Sequence, residues 1–268
     1  MLFRMNGDVL EETVIDTHCH LFDEPLRETW IQTIDEAVMA GCTGIVVVAT
    51  LADSWKEIVS HREPLRQRLP DSRIAVGLHP WYVHEAPFNW EQQLAQLLPQ
   101  VDAVGEIGLD RGERAPVRTL QEPVFERQLE MAAQHKLPVL LHVVRAHDLV
   151  FHHMKRFSDK LRGIVHAFSG SPEDAKAYIE RGFLLGIGGG ITRENAHRLR
   201  RIVSKLPLSS LVLETDSPYL GTQTVPAGSS RPAHVAQIVA QLAQVFALPE
   251  VDIIRMTSEN ARRLWEHP

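Results

Sequence analysis

The sequence predicts a single (β/α)8 TIM barrel with an additional C-terminal helix, one domain over residues 1–268. Three observations predict it. The length of 268 residues suits one large α/β domain. Short apolar runs alternate with longer amphipathic ones, and eight such pairs can be counted. The apolar runs are almost wholly hydrophobic, as parallel strands covered on both faces are.

The pairs follow in order. A strand at 14–19 precedes a helical pattern at 28–40. The run GIVVVAT (44–50) precedes one helix over 54–69, and RIAVGL (73–78) leads through a polar stretch to a helix at 90–98. AVGEIGL (103–109) precedes 119–135, and LPVLLHV (137–143) precedes 147–157. GIVHAF (163–168) precedes 172–180, FLLGIGG (183–189) precedes 193–205, and LVLETD (211–216) precedes 232–246. A helix at 252–265 remains as the additional one. An open doubly wound sheet alternates in the same way, but no GxGxxG follows the first strand and the regular count of eight favours the barrel. Gly188–Gly190 is the only glycine-rich run; a phosphate cradle and a tight turn both suit it.

Bulk composition narrows the function. The formal net charge of −6 argues against a broad surface that wraps duplex DNA, while leaving room for a local basic pocket. The two cysteines, Cys19 and Cys42, read as reduced, because a chain of this length builds its own core without a staple. Residues 1–14 show no apolar leader, and no run approaches a membrane span. A cytoplasmic protein is expected.

In a barrel of this kind, chemistry sits at the C-terminal ends of the strands. Strand one ends in His18 and His20, which alternation places on one face, with Cys19 on the other. Strand three ends in His79. Strand four carries Glu106 and Asp110. Strands five and six end in His142 and His166, and strand eight in Asp216. Five of the 14 histidines therefore lie at strand ends. One buried histidine is commonly a core residue, but burying this many unpaired imidazoles and carboxylates would cost several kcal/mol each. Four histidines with Glu106 and Asp216 exceed one tetrahedral site. They suit two divalent ions sharing a bridging carboxylate. No lysine lies near the end of strand four, so Glu106 is the expected bridge. Asp16 and Asp110 read as partners that orient ligands, and Glu214 is not assigned to a metal.

The motifs DTHCHL (16–21), GLHP (77–80), GEIGLD (105–110), LHVVRAH (141–147), HAFSGS (166–171), ETDSPYL (214–220) and RPAH (231–234) together resemble the TatD-type metal-dependent deoxyribonucleases of the amidohydrolase superfamily. The resemblance spans about 15–264. It implies a first metal on His18, His20, Glu106 and Asp216, and a second on Glu106, His142 and His166. It also implies hydrolysis of nucleic-acid phosphodiesters, as a 3′-to-5′ exonuclease using Mg²⁺ or Mn²⁺. Zn²⁺ suits the same His/carboxylate set. Two positions depart from the pattern. Val144 stands where many members carry Arg, with Arg145 following, and Arg111 stands where an aromatic residue is common.

On this reading Asp216 is the general base and, with Glu106, a catalytic residue. His79, Arg145 and Arg231 are candidate phosphate contacts. Trp81, Tyr82, Phe168 and Tyr219 are candidates for stacking on bases, with packing as the alternative. The basic run within 193–205 reads as a solvated helix face. The acidic chain favours single-stranded or end-bound DNA as partner. A small-molecule amidohydrolase or lactonase on the same metals is the rival reading, and a catalytically silent binding protein a further one.

Overall fold

A strand covered on both faces needs apolar side chains at nearly every position, and the eight runs supply them. The computed structural model describes residues 13–157 and 160–266, with the backbone alone of 4–5 and 8–9. The absence of a leader was read from residues 1–14, most of which lie outside the described residues. Eight strands, β1 (Val14–Cys19), β2 (Cys42–Val48), β3 (Arg73–Val76), β4 (Ala103–Asp110), β5 (Val139–Val144), β6 (Gly163–Val165), β7 (Phe183–Ile187) and β8 (Leu211–Leu213), form one sheet in chain order. Their pairings are parallel, for example Asp16 opposite Ile45 and Ile107 opposite Leu141. Beyond β8 the chain returns to β1: Asp216 N–H donates to His18 O at 2.9 Å, and His20 N–H to Ser217 O at 2.8 Å. The fold is the expected (β/α)8 barrel. No single helix among the described residues is long and apolar enough to cross a membrane.

Contacts divide the chain into two compact units. The first comprises 1–47, 63–72 and 186–263. Its core includes Ile34 from α1 (Trp30–Met39), Ile45 and Val46 from β2, and Leu242 from α9 (Val235–Phe246), all fully buried. The additional helix, α10 (Glu250–Glu266), is fixed at its middle by Asn260. That side chain donates to Leu208 O at 2.9 Å and Leu211 O at 2.8 Å. A Cβ at Gly186 would lie 2.0 Å from Glu214 Oε2, so any larger residue there displaces that buried carboxylate.

The second unit comprises 48–62, 73–185 and 264–268. All eight residues of β4 are buried, charged ones included. The long helix α5 (Arg118–His135) sends two buried glutamines, seven residues apart, to strand ends. Gln121 accepts from Asp110 N–H and donates to Asp110 O. Gln128 does the same at Leu78. Each amide replaces one rung of a ladder where the sheet stops, so the backbone carrying Asp110 and His79 is satisfied while it turns away.

Several elements end earlier than their pattern suggests. The helix expected over 54–69 is two, α2 (Trp55–Ser60) and α3 (Arg62–Arg68), because Pro64 has no N–H to give to Ser60 O. The helix expected from 193 begins at His197. The Arg200 guanidinium instead binds the carbonyls of Ile191, Arg193 and Glu194 and keeps that segment in a loop. Strand eight stops at Leu213; Glu214 N–H still donates to Ile187 O, and the chain turns at Asp216, whose left-handed φ of 52° a strand cannot contain.

Replacing Asn260 by Ala removes both buried hydrogen bonds from α10 to the Leu208 and Leu211 carbonyls, and urea unfolding is expected to show a loss of about 1–3 kcal/mol with an unchanged m-value.

Candidate metal centre

Ligand-forming groups gather within each unit at strand ends. In the first unit they are His18, His20 and Asp216. His18 Nε2 and His20 Nε2 lie 3.3 Å apart, and Asp216 Oδ1 lies 3.1 Å from His20 Nε2 and 3.7 Å from His18 Nε2. Three donor atoms thus face one point. The donor set fits a divalent cation, since donors placed 2.0–2.1 Å from a tetrahedral Zn²⁺ stand roughly 3.4 Å from one another. Alternation along β1 delivers this geometry, as expected. Cys19 is fully buried, joins no ligand group among the described residues, and has its thiol pushed well up by burial.

The backbone beneath is held by Asp16. Its carboxylate accepts from His18 N–H, Thr215 N–H and the Thr215 hydroxyl. Burial pushes that carboxyl up to about 7, although the Thr215 and His18 hydrogen bonds pull it down. Beside it, Asp23 receives the Tyr219 hydroxyl at 2.9 Å and approaches His20 Nδ1 at 3.5 Å. Sequence alone did not single out Asp23. Its offset of three from His20 was the available signal.

In the second unit Glu106, His142 and His79 gather, with His166 beside them. Glu106 Oε1 lies 2.7 Å from His142 Nδ1, 3.5 Å from His166 Nε2 and 3.6 Å from His79 Nε2. The other nitrogen of His142, Nε2, is 3.0 Å from Asp110 Oδ2. Asp110 also accepts from the Trp81 indole at 2.6 Å and from Gly112 N–H. Burial alone would raise Asp110 and lower His142. The hydrogen bonds reverse both, so Asp110 is held below the usual carboxylate range and His142 above the usual imidazole range. Both ring nitrogens face carboxylates, Nδ1 toward Glu106 and Nε2 toward Asp110. A cation held at Glu106 would take Nδ1 as its ligand while Nε2–H stays on Asp110, the carboxylate–histidine arrangement that orients such a ring.

His79 differs from its neighbours. Its Nδ1 accepts the Trp81 backbone N–H at 3.2 Å. A neutral imidazole has one lone pair to give, so Nε2 carries the proton and is a donor. That chemistry suits an anionic oxygen better than a metal. Trp81 is a hydrogen-bond donor that braces Asp110, and Phe168 is buried, so both pack as well as line the rim. Tyr219 is 45% exposed. Arg231 donates to Thr33 at 2.9 Å and lies 3.5 Å from Glu36, which commits its guanidinium to α1. Arg145 is exposed at the end of β5.

The sequence model of the TatD-related DNases matches residues 15–266. The chain belongs to the TatD family of metal-dependent hydrolases. It is 34% identical to the uncharacterized metal-dependent hydrolase YjjV of Escherichia coli K12, over 95% of this chain and 98% of that one. The crystal structure of that TatD homologue superposes with a TM-score of 0.88 at 33% identity, covering 96% of this chain and 100% of the other. The 3′-5′ ssDNA/RNA exonuclease TatD of Citrobacter rodentium is 30% identical, over 87% of this chain and 90% of its own length.

Removing the Asp110 carboxylate should loosen the His142 ring without deleting a ligand. Asp110→Asn is expected to weaken Mn²⁺ or Zn²⁺ binding about 10- to 100-fold in calorimetric titration. His142→Ala, which removes the ring itself, should weaken binding further than Asp110→Asn does.

Proposed function

We propose that this TatD-family hydrolase cleaves phosphodiester bonds of single-stranded or end-exposed nucleic acid, releasing nucleoside monophosphates from the 3′ end. The observation that supports it best is the pairing of donor clusters suited to divalent cations with His79 Nε2–H, a buried hydrogen-bond donor beside Glu106. The name of the Citrobacter relative, an exonuclease on single-stranded DNA and RNA, agrees with it. His18, His20 and Asp216 hold one divalent ion in this reading, and Glu106, His142 and His166 another. Mg²⁺ or Mn²⁺ serves in function, and the imidazole-rich donors also accept Zn²⁺.

When bound, such ions supply positive charge that favours ionisation of water and offsets charge building on the phosphoryl oxygens. The chain's own groups do the rest. Asp216 accepts the proton of the attacking water, its Oδ1 standing 3.1 Å from His20 Nε2 in the same group of donor atoms. As the new P–O bond forms, the bond from phosphorus to the 3′-oxygen of the preceding nucleotide breaks, leaving a 5′-monophosphate and a shortened strand. His79 donates to a non-bridging phosphate oxygen, and Arg145 adds charge at the rim. Since Arg231 is committed to Thr33 and Glu36 of α1, it holds that helix rather than reaching for phosphate.

The test is 3′-end-labelled single-stranded DNA with Mg²⁺ or Mn²⁺, run beside lactone and cyclic-amide substrates. Mononucleotide release is expected from the wild type, to fall at least about 10³-fold in Asp216→Asn. The His79→Gln variant should raise KM more than it lowers kcat. Release equal in Asp216→Asn, or turnover of a lactone alone, would defeat the reading.

A further inference from the structure

Among the described residues five non-glycine positions have a left-handed φ: Lys136, Arg145, Ala167, Asp216 and Ala247. Lys136 and Ala247 end α5 and α9, where such a residue closes a helix. The other three belong to strand ends that carry the ligand candidates. Ala167 follows His166, Asp216 is itself a candidate, and Arg145 stands three residues after His142. A long side chain at a φ of 53° costs on the order of 1 kcal/mol, and surrounding contacts must impose it.

Those contacts are on one residue. Arg111 N–H donates to Val144 O at 2.9 Å, and Arg111 Nη1 donates to Arg145 O at 3.1 Å. The same guanidinium is held in a fork by Asp148, with Nη1 to Oδ1 at 2.9 Å and Nη2 to Oδ2 at 3.0 Å. The Asp148 carboxyl is held below its usual range by that fork. Arg111 therefore spends its charge on Asp148 and its geometry on the Arg145 backbone. The Arg145 guanidinium, in contrast, makes no hydrogen bond or ion pair within the described chain and is exposed. Arg111, one departure from the family's pattern, thus holds the backbone of Arg145, which directly follows the other departure, Val144.

We infer that Arg145 is the residue that reads a backbone phosphate of the substrate strand, and that Arg111, clamped by Asp148, is the positioning residue that presents it. This deepens the nuclease reading by assigning its preference for an anionic strand over a neutral lactone or amide. A bracketed, uncompensated guanidinium at the end of β5 serves a phosphate and has no use for a neutral carbonyl substrate.

The experiment measures binding of a fluorescein-labelled oligothymidylate to the full chain by anisotropy, in EDTA and in Mn²⁺, from about 50 to 200 mM salt. Arg145→Gln is expected to weaken binding about tenfold and to flatten the slope of log affinity against log salt by about 0.7, the value for one phosphate contact on a single strand. Arg111→Gln should show the same loss and the same flattening although its own charge is already neutralised, and the double variant should lose no more than either alone. Arg145→Gly separates strain from function: its Tm should equal or exceed the wild type while its affinity falls like that of Arg145→Gln. Wild-type affinity and slope in Arg145→Gln, or wild-type affinity in Arg111→Gln, would overturn the inference. Arg145-dependent binding without any nucleotide release would uphold it and refute the nuclease reading. Release with an unchanged KM in Arg145→Gln would do the reverse.

Discussion

The first strand must meet the last, and one buried carboxylate makes that junction specific. Asp16 takes three hydrogen bonds, from the backbone of His18 and from the backbone and hydroxyl of Thr215. Thr215 precedes Asp216, and His18 precedes His20 by two residues on the same face. The junction that closes the sheet is therefore also the jig that brings the His18, His20 and Asp216 donor atoms within 3.7 Å of one another. Holding a carboxylate with no exposed surface is expensive, which is why its ionisation is displaced toward neutrality.

The same principle, polar groups arranged on stiff supports, recurs in the second unit with different parts. Two glutamines on α5 fix the strand ends that carry His79 and Asp110. Asp110 then fixes His142, and Trp81 fixes both Asp110 and His79, one through its indole and the other through its backbone. For His79 the Trp81 N–H leaves Nε2 as a donor. His142 instead stands between two carboxylates, Glu106 and Asp110. Two histidines within 3.6 Å of the same oxygen thus differ in what occupies their other nitrogen.

The rim adds discrimination without adding bulk charge. A chain with a net charge of −6 does not attract polyanions as a whole, so any affinity for nucleic acid has to be local. Arg111 is neutralised where it stands and Arg231 is committed to α1, which leaves Arg145 as the cation at that strand end with its charge uncompensated.

The sequence by itself determined the eight-unit order, the facing of His18 and His20 against Cys19, and the strand-end histidines and carboxylates. These follow from alternation along a strand and from apolar runs, which are local properties of the chain. It did not determine where strand eight stops, which histidine is a donor, or which arginine is free. Asp216 takes a left-handed conformation because the backbone must turn while remaining bonded to β1. The tautomer of His79 and the orientation of the His142 ring depend on partners 2 and 32 residues away, Trp81 and Asp110. Arg111, Arg145 and Arg231 look alike in sequence. Only the folded chain distinguishes them, because a guanidinium's availability depends on whether a carboxylate from another element reaches it first.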